Sequence, residues 1–472
     1  MTNSEKYKDC LEYIDNYWNK IIFKPSRIHL KYSFINIPTL IPAGTTDPHS
    51  IYIPYQYFVP NTEKFKRIYY WDSYFMFKGL IGTKRQKLTK SMVNNFLYLF
   101  KKYRIIPNFN APASINRSQP PFLTSMILDS YLTPLEIHKT HRHRANIASN
   151  VYKFRNSGWF KSAINIAKKE YETVWIDKAN LYNHHVQGYM LSRYGDRDIG
   201  YAHSSELESG WDMTSRFYNR CDQFLPIDLN SYLYKYEKDF ESAAQLLKNR
   251  ADEKYWSEKA QMRKKEINKY MWNKDDKFFF DYGYAFKQQS NFLSLASYTP
   301  LWAGLASFSQ AKEMAKKLHK FETPYGLTIS SKDSLAKPID LSKIQRRYHP
   351  SIEEIIKPKQ WDYPNIWSPL EYLTVIGLLK YGFVHDSKRI MENSLHAHAT
   401  LFRKHNTFFE KINGATGAPG TGALYGDQTG FGWTNAIFYR YVDILDSLDK
   451  LESIYIENTT KHMPPYTLAI PH

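Results

Sequence analysis

The chain runs to 472 residues, 43% of them hydrophobic and 16% aromatic, which supplies a large core and excludes a globally disordered protein. Its 64 Lys and Arg against 46 Asp and Glu leave a formal charge of +18. That charge draws attention to nucleic acid or an anionic membrane, but no Lys/Arg-rich run of the kind those partners use is present. Two cysteines, Cys10 and Cys221, rule out a disulfide framework of the small secreted kind and favour a reducing compartment. The first residues lack the apolar stretch of a secretory leader, and no run approaches the ~18 apolar residues of a membrane span. A soluble, cytosolic protein is expected, with a monomer favoured.

In chain order, residues 85–103 place Leu88, Met92, Phe96, Leu99 and Tyr103 on one stripe, the spacing of an amphipathic helix. Residues 240–274 are rich in helix formers without Pro or Gly and predict one long helix or two in succession. Residues 309–321 form another amphipathic segment, with Pro324 and Gly326 just beyond it. Ser368, Pro369 and Glu371 read as a hydroxyl cap, a first-turn proline and the acid of a capping box, which predicts a helix to about Lys380. Residues 414–432, with glycines at 414, 417, 420, 422, 426 and 430, read as a mobile loop. Strand-like alternation is scarce, so the fold class is all-α. The length suggests about three domains at ~150 residues each, yet no Ser/Gly-rich linker separates any, and a closed toroid of helical hairpins fits better.

The loops concentrate Trp, Asp, Glu, Arg, Asn and Gln. Examples are Trp71-Asp72, Asn108 with Arg117 and Gln119, Glu208-Ser209-Gly210-Trp211-Asp212, Gln360-Trp361-Asp362 and Trp433-Thr434-Asn435. A sugar demands this combination, because its C–H face packs on aromatic rings while its hydroxyls need donors and acceptors at the rim. A single Trp-Asp pair is more often a capping acid beside a core aromatic; five such clusters change the balance. His138, His141 and His143 resemble a metal cluster, but Lys139, Arg142 and Arg144 between them repel a cation, so a solvated basic segment is the better reading.

The run Val59-Pro60, Lys64-Phe65-Lys66-Arg67 and Tyr69-Tyr70-Trp71-Asp72-Ser73-Tyr74 resembles the first signature of the trehalases, glycoside hydrolase family 37. Gln360-Trp361-Asp362-Tyr363-Pro364-Asn365-Ile366-Trp367-Ser368-Pro369 resembles the second, departing at Ile366. Arg117-Ser118-Gln119-Pro120-Pro121-Phe122, Glu208 to Asp212, Phe409-Glu410-Lys411 and Gly430 to Asn435 match in order, and several ordered motifs are far more specific than one. The resemblance spans roughly residues 50 to 445. It implies an (α/α)6 barrel over residues 50–472, with residues 1–49 as an N-terminal helical extension packing on it.

The resemblance also implies an inverting glycosidase, with trehalose as the first substrate. One acid protonates the glycosidic oxygen, and a second carboxylate activates water from the opposite face, the two lying roughly 6.5–9.5 Å apart. By motif position Asp212 is the general acid and Glu410 the general base. The acid must stay protonated near neutral pH, which calls for an apolar neighbour such as Trp211 or a second carboxylate such as Glu208. Arg216, four residues after Asp212, is a candidate ion-pair partner for it. Asn108, Arg117 and Gln119 match sugar-binding positions, Trp71 and Asp72 a stacking ring and its acceptor; Gly210 and Trp361 join the substrate-binding set. Trp71, Trp211, Trp361 and Trp433 are read as sugar platforms. Residues 414–430 correspond to a lid. No metal or cofactor is expected.

Three departures bear on substrate. Lys64 replaces an Arg that contacts sugar and cannot make its two-pronged bond. The family's Arg-Pro-Glu-Ser stretch has no clear counterpart, Arg197 being a loose candidate. Gly420-Thr421-Gly422-Ala423-Leu424-Tyr425 replaces an acidic lid contact by Leu424. The alternatives are a related glycosidase acting on another α-glucoside or a glycosyl-glycerate and, from a different class, a basic nucleic-acid-binding protein, which the Trp/Asp-rich motifs disfavour.

Overall fold

The structure is a computed structural model that describes residues 1–25, 28–29, 40–41, 50–132, 157–197, 202–335, 357–422 and 425–459. His138, His141 and His143 lie outside the described residues. Six helices form an inner ring: α2 (Tyr70–Lys78), α4 (Leu123–Leu132), α6 (Ile227–Leu246), α8 (Thr299–Trp302), α10 (Ser368–Lys380) and α12 (Gly432–Thr459). Each touches the next, and α12 closes the circle against α2. Six more surround them: α1 (Lys8–Ile21), α3 (Lys87–Tyr103), α5 (Ser157–Glu170), α7 (Arg250–Tyr270), α9 (Phe308–Ala315) and α11 (Val384–His405). The architecture is the (α/α)6 barrel.

The two rings differ in sequence because they differ in surroundings. Every residue of α2 is buried, Asp72 and Lys78 included, and α10 buries Glu371 among its apolar residues. The outer helices bury one stripe, as α3 does with Leu88, Met92, Val93, Phe96, Leu99 and Phe100, and leave the other face to water. Helix α1 buries Cys10, Ile14, Tyr17, Trp18 and Ile21 and lies against α12. At the join of α2 and α12, a Cβ on Gly79 would come within 2.6 Å of the Ala436 backbone, so only glycine permits that approach.

The expected segment 240–274 is two helices. Lys248 turns left-handed at φ 56°, and Asn249 caps α7 by accepting from Asp252 N at 3.2 Å. Across the turn Arg263 Nε donates to Glu237 Oε1 at 2.8 Å, both side chains buried. The expected cap at Ser368 is displaced by one residue. Trp367 is the N-cap without a side-chain bond, and Glu371 instead accepts from Leu327 N at 2.8 Å. Helix α9 begins with a capping box from Ser307 and Gln310 and stops at Ala315, followed by a 3₁₀ turn at Leu318–Lys320. Strands are two-residue ladders. One of them, Asn365–Ile366 against Ile412–Asn413, ties the second signature to the segment carrying Glu410. Among the described residues no helix is long and apolar enough to cross a membrane.

Candidate active site

The candidate residues gather where inner helices begin. Trp71 and Asp72 lie in the first turn of α2, Trp367 caps α10 and Trp433 opens α12; Arg117 and Gln119 precede α4, and Asp212 precedes α6. Helix N-termini present unpaired N–H groups and a positive dipole end, a setting suited to acidic side chains and sugar oxygens. The tryptophans make one continuous wall. Trp361 and Trp367 stack at 3.9 Å between centroids, Trp211 and Trp71 lie 5.7 and 5.6 Å from Trp361, and Trp433 is 6.2 Å from Trp71. All five rings are buried, Trp211 completely.

Asp212 is held through its backbone. Gly210 has φ 75°, and a Cβ there would sit 2.6 Å from Trp71 Cε2, so glycine lets the segment turn against the ring. The Gln360 amide donates to the Asp212 carbonyl, and Trp361 N donates to Met213 O at 3.1 Å. Asp362 accepts from Thr214 Oγ1 at 2.7 Å and Ser215 N at 3.0 Å. Glu206 accepts from Thr214 N at 2.6 Å. The second signature is thus a clamp on the segment that carries the acid. Asp212 keeps partial access to solvent. Burial first, then the negative charges of Glu410 and Glu206, push its carboxyl up to about 7, with Arg117 acting in the opposite direction.

Two expectations are corrected here. The neighbouring carboxylates that raise Asp212 are Glu410 and Glu206, not Glu208. Glu208 is occupied elsewhere, accepting from Ser118 N at 2.8 Å and Gly195 N at 2.7 Å, with His184 Nε2 at 2.8 Å; it fixes the Arg117 loop rather than the acid. Arg216 is no partner of Asp212: its guanidinium bonds Asp228 and Asp281 at 2.7–3.0 Å, all three fully or almost fully buried.

Glu410 is only 2% exposed, so it is not the solvated acid that its neighbour Lys411 alone suggests. Lys411 Nζ donates to Oε2 at 3.1 Å, and Tyr425 OH donates to Oε1 at 3.0 Å. Its backbone is fixed as well: Glu410 N donates to Gln428 O at 2.9 Å, and Trp433 Nε1 donates to Glu410 O at 3.2 Å. Burial raises the carboxyl, while Lys411 and Tyr425 pull it back down. Asp72 is a third carboxyl in the same group; burial raises it well above the usual range, and Asp212 and Glu410 add to the effect.

A family model of the trehalases matches residues 2–209 and 198–446. The chain belongs to the trehalase family. As a member of it, the protein is a glycoside hydrolase. Neutral trehalase Nth1 from Saccharomyces cerevisiae is 27% identical with a TM-score of 0.64, covering 83% of this chain and 75% of that one. A family 63 mannosylglycerate hydrolase from Thermus thermophilus, in complex with glucose, is 15% identical with a TM-score of 0.56, covering 82% of this chain and 95% of that one. The latter likeness shows the shared barrel.

The trehalase motifs are placed as follows. Gln119 Oε1 accepts from Trp71 N at 3.1 Å, capping the first turn of α2. Asn108 O accepts from Tyr70 N at 3.2 Å and its Nδ2 donates to Leu207 O at 3.2 Å, linking the first signature to the short helix Ala202–Glu208 that precedes Asp212. Arg117 is near enough to Asp212 to influence its proton. Lys64 lies with Nζ 4.5 Å over the Tyr425 ring. Arg197 joins the same loop through N–H to Asn116 O at 2.9 Å, its guanidinium 5.2 Å over Tyr182. Leu424 lies outside the described residues. Reading by motif missed Glu206, Trp367 and Tyr425. Trp367 and Tyr425 stood inside quoted motifs, while Glu206 lies two residues before the Glu208–Asp212 motif and nothing in its local sequence marked it.

Proposed function

We propose that this glycosidase hydrolyses α,α-trehalose to two glucose molecules with inversion, Asp212 acting as general acid and Glu410 as general base. The observation that carries the reading is the contrast between these two neighbouring carboxyls. Asp212, pushed to about 7, holds a proton near neutral pH; Glu410 receives an ammonium and a phenol, donors that stabilise its ionised form. In the reaction the Asp212 proton passes to the glycosidic oxygen as the bond from that oxygen to the anomeric carbon breaks. Glu410 takes a proton from water, whose oxygen bonds that carbon from the opposite face. One glucose leaves inverted as the β anomer, and the other keeps its α configuration.

Lys64, Trp71, Asp72, Asn108, Arg117, Gln119, Gly210 and Trp361 are proposed as the substrate-binding set. Asp72, raised by burial, can donate as well as accept a hydrogen bond to a sugar hydroxyl. Neither proton transfer calls for a metal or cofactor, and a cytosolic monomer working on a small sugar completes the proposal. A second reading, another α-glucoside or a glycosyl-glycerate, is favoured by Lys64, whose position above Tyr425 differs from a two-pronged sugar contact. Glucose release from trehalose, beside a panel of disaccharides and glycosyl-glycerates, tests both. No release from trehalose with turnover of another member replaces the first reading by the second.

A further inference from the structure

Glu410 accepts hydrogen bonds from two side chains, and the second comes from a separate loop. Tyr425 OH reaches Oε1 at 3.0 Å, and its ring is held on several sides. Phe65 meets it edge-on at 5.3 Å, Lys64 Nζ lies 4.5 Å from the centroid and Lys411 Nζ 5.7 Å. The loop bearing Lys64 and Phe65 is fixed by Asn61, whose Oδ1 accepts from Lys64 N at 3.1 Å and Phe65 N at 2.8 Å. Asn61 Nδ2 donates to Gln428 Oε1 at 2.9 Å, and Gln428 O accepts from Glu410 N at 2.9 Å. The contacts close a circuit from the first signature, through the phenol, to the base and back.

We propose that Tyr425 is a positioning residue for the base: its hydroxyl holds Oε1 of Glu410 and keeps the carboxylate ionised, and Lys64 fixes the ring that delivers it. The proposal rests on the assignment of Glu410 as base. The charged and titratable groups facing Glu410 are Lys411, Tyr425 and Asp427, with Asp72 and Asp212. Asp427 opposes ionisation of the base by its negative charge, and Asp72 and Asp212 do so wherever they lose their protons; among the described residues only Lys411 and Tyr425 favour it. The phenol itself cannot lose its proton in competition, because burial and the carboxyls Glu410, Asp212 and Asp72 hold its ionisation far above the ordinary range; it is an obligate donor. Each carboxylate oxygen accepts two hydrogen bonds, so both oxygens can hold their protein donor and still leave a lone pair for water. Lys64 thereby gains a second role beside the substrate-binding one proposed above, as the cation that seats the phenol.

The test is the pH profile of kcat/KM on trehalose for the wild type, Tyr425→Phe, Lys64→Met and Lys64→Arg. Tyr425→Phe removes one donor to the charged form, so the acid limb moves up by about one pH unit. Activity then falls about tenfold on the acid side, less toward neutral pH, with KM little changed. Lys64→Met moves the limb less in the same direction, and Lys64→Arg restores it. A uniform loss across pH with the limb in place overturns the proposal, and a wild-type profile in Lys64→Met overturns the part given to Lys64. A second readout does not depend on substrate. The infrared carboxyl band of Glu410, isolated by subtracting the Glu410→Gln spectrum, titrates with a higher midpoint in Tyr425→Phe than in the wild type; equal midpoints overturn the proposal. A wild type inactive on trehalose overturns the substrate reading alone.

Discussion

The two halves of the site both fix the backbone but treat their carboxyls differently. The acid half is held by backbone: Gln360, Trp361 and Asp362 grip residues 212–215, and the Asp212 carboxyl is left to burial and to the charges around it. The base half has its backbone fixed too, by Gln428 and Trp433, and adds side-chain donors: Lys411 and Tyr425 bond both oxygens of Glu410 directly. Burial raises both groups, but the Asp212 carboxyl receives its own backbone N–H while Glu410 receives an ammonium and a phenol, a difference that fits the proposed roles of proton donor and acceptor. Two carboxyls in one barrel take different roles by their partners rather than by their residue type.

The largest expected effects break the contrast outright. Asp212→Asn and Glu410→Gln should each lower kcat on trehalose by about 10²–10⁴-fold, measured by glucose release. An activated substrate sharpens the distinction. Because fluoride departs without protonation, α-glucosyl fluoride should recover activity in Asp212→Asn but not in Glu410→Gln; recovery in both would erase the difference between the halves. Asp362→Ala, which frees the backbone carrying the acid while leaving both carboxyls, should cost about 10²-fold in kcat with a smaller change in KM. Lys411→Met removes the ammonium from Oε2 of Glu410 and should raise the acid limb of the kcat profile, leaving the alkaline limb set by Asp212 unmoved.

The smallest effect is on stability. Burial raises Glu170 from 4.5 to about 7, and likewise Glu206 and Glu371. Since the folded state holds these protons more tightly than the unfolded chain, their protonated contribution is complete below about pH 4.5. It is lost as pH rises through 7. Tm should therefore fall between pH 5 and pH 8, and Glu170→Gln should flatten that slope.

Features whose cause is local were readable from the sequence. Proline at 369 places the start of α10 within a residue, and the stripe of α3 gives its buried face. Features decided by distant partners were not. The break at Lys248 has no Gly or Pro to mark it, yet it lets α7 double back so that Arg263 meets Glu237. Glu206 and Glu208 are two residues apart and look alike in sequence, but only the fold sends Glu208 to Ser118 and Gly195 while Glu206 stays beside Asp212. Arg216 sits one helical turn from Asp212 in sequence, and its acids come from residues 228 and 281. The motif positions named Asp212 and Glu410; the clamp, the extra carboxylate and the phenol emerged when loops preceding the inner helices were brought together.

Proton NMR of freshly formed product from α,α-trehalose is the most direct measurement of the central claim. A base and an acid working from opposite faces predict equal initial amounts of α- and β-glucose, before mutarotation blurs them. Release of α-glucose alone would contradict the inverting assignment and the opposed roles of Asp212 and Glu410.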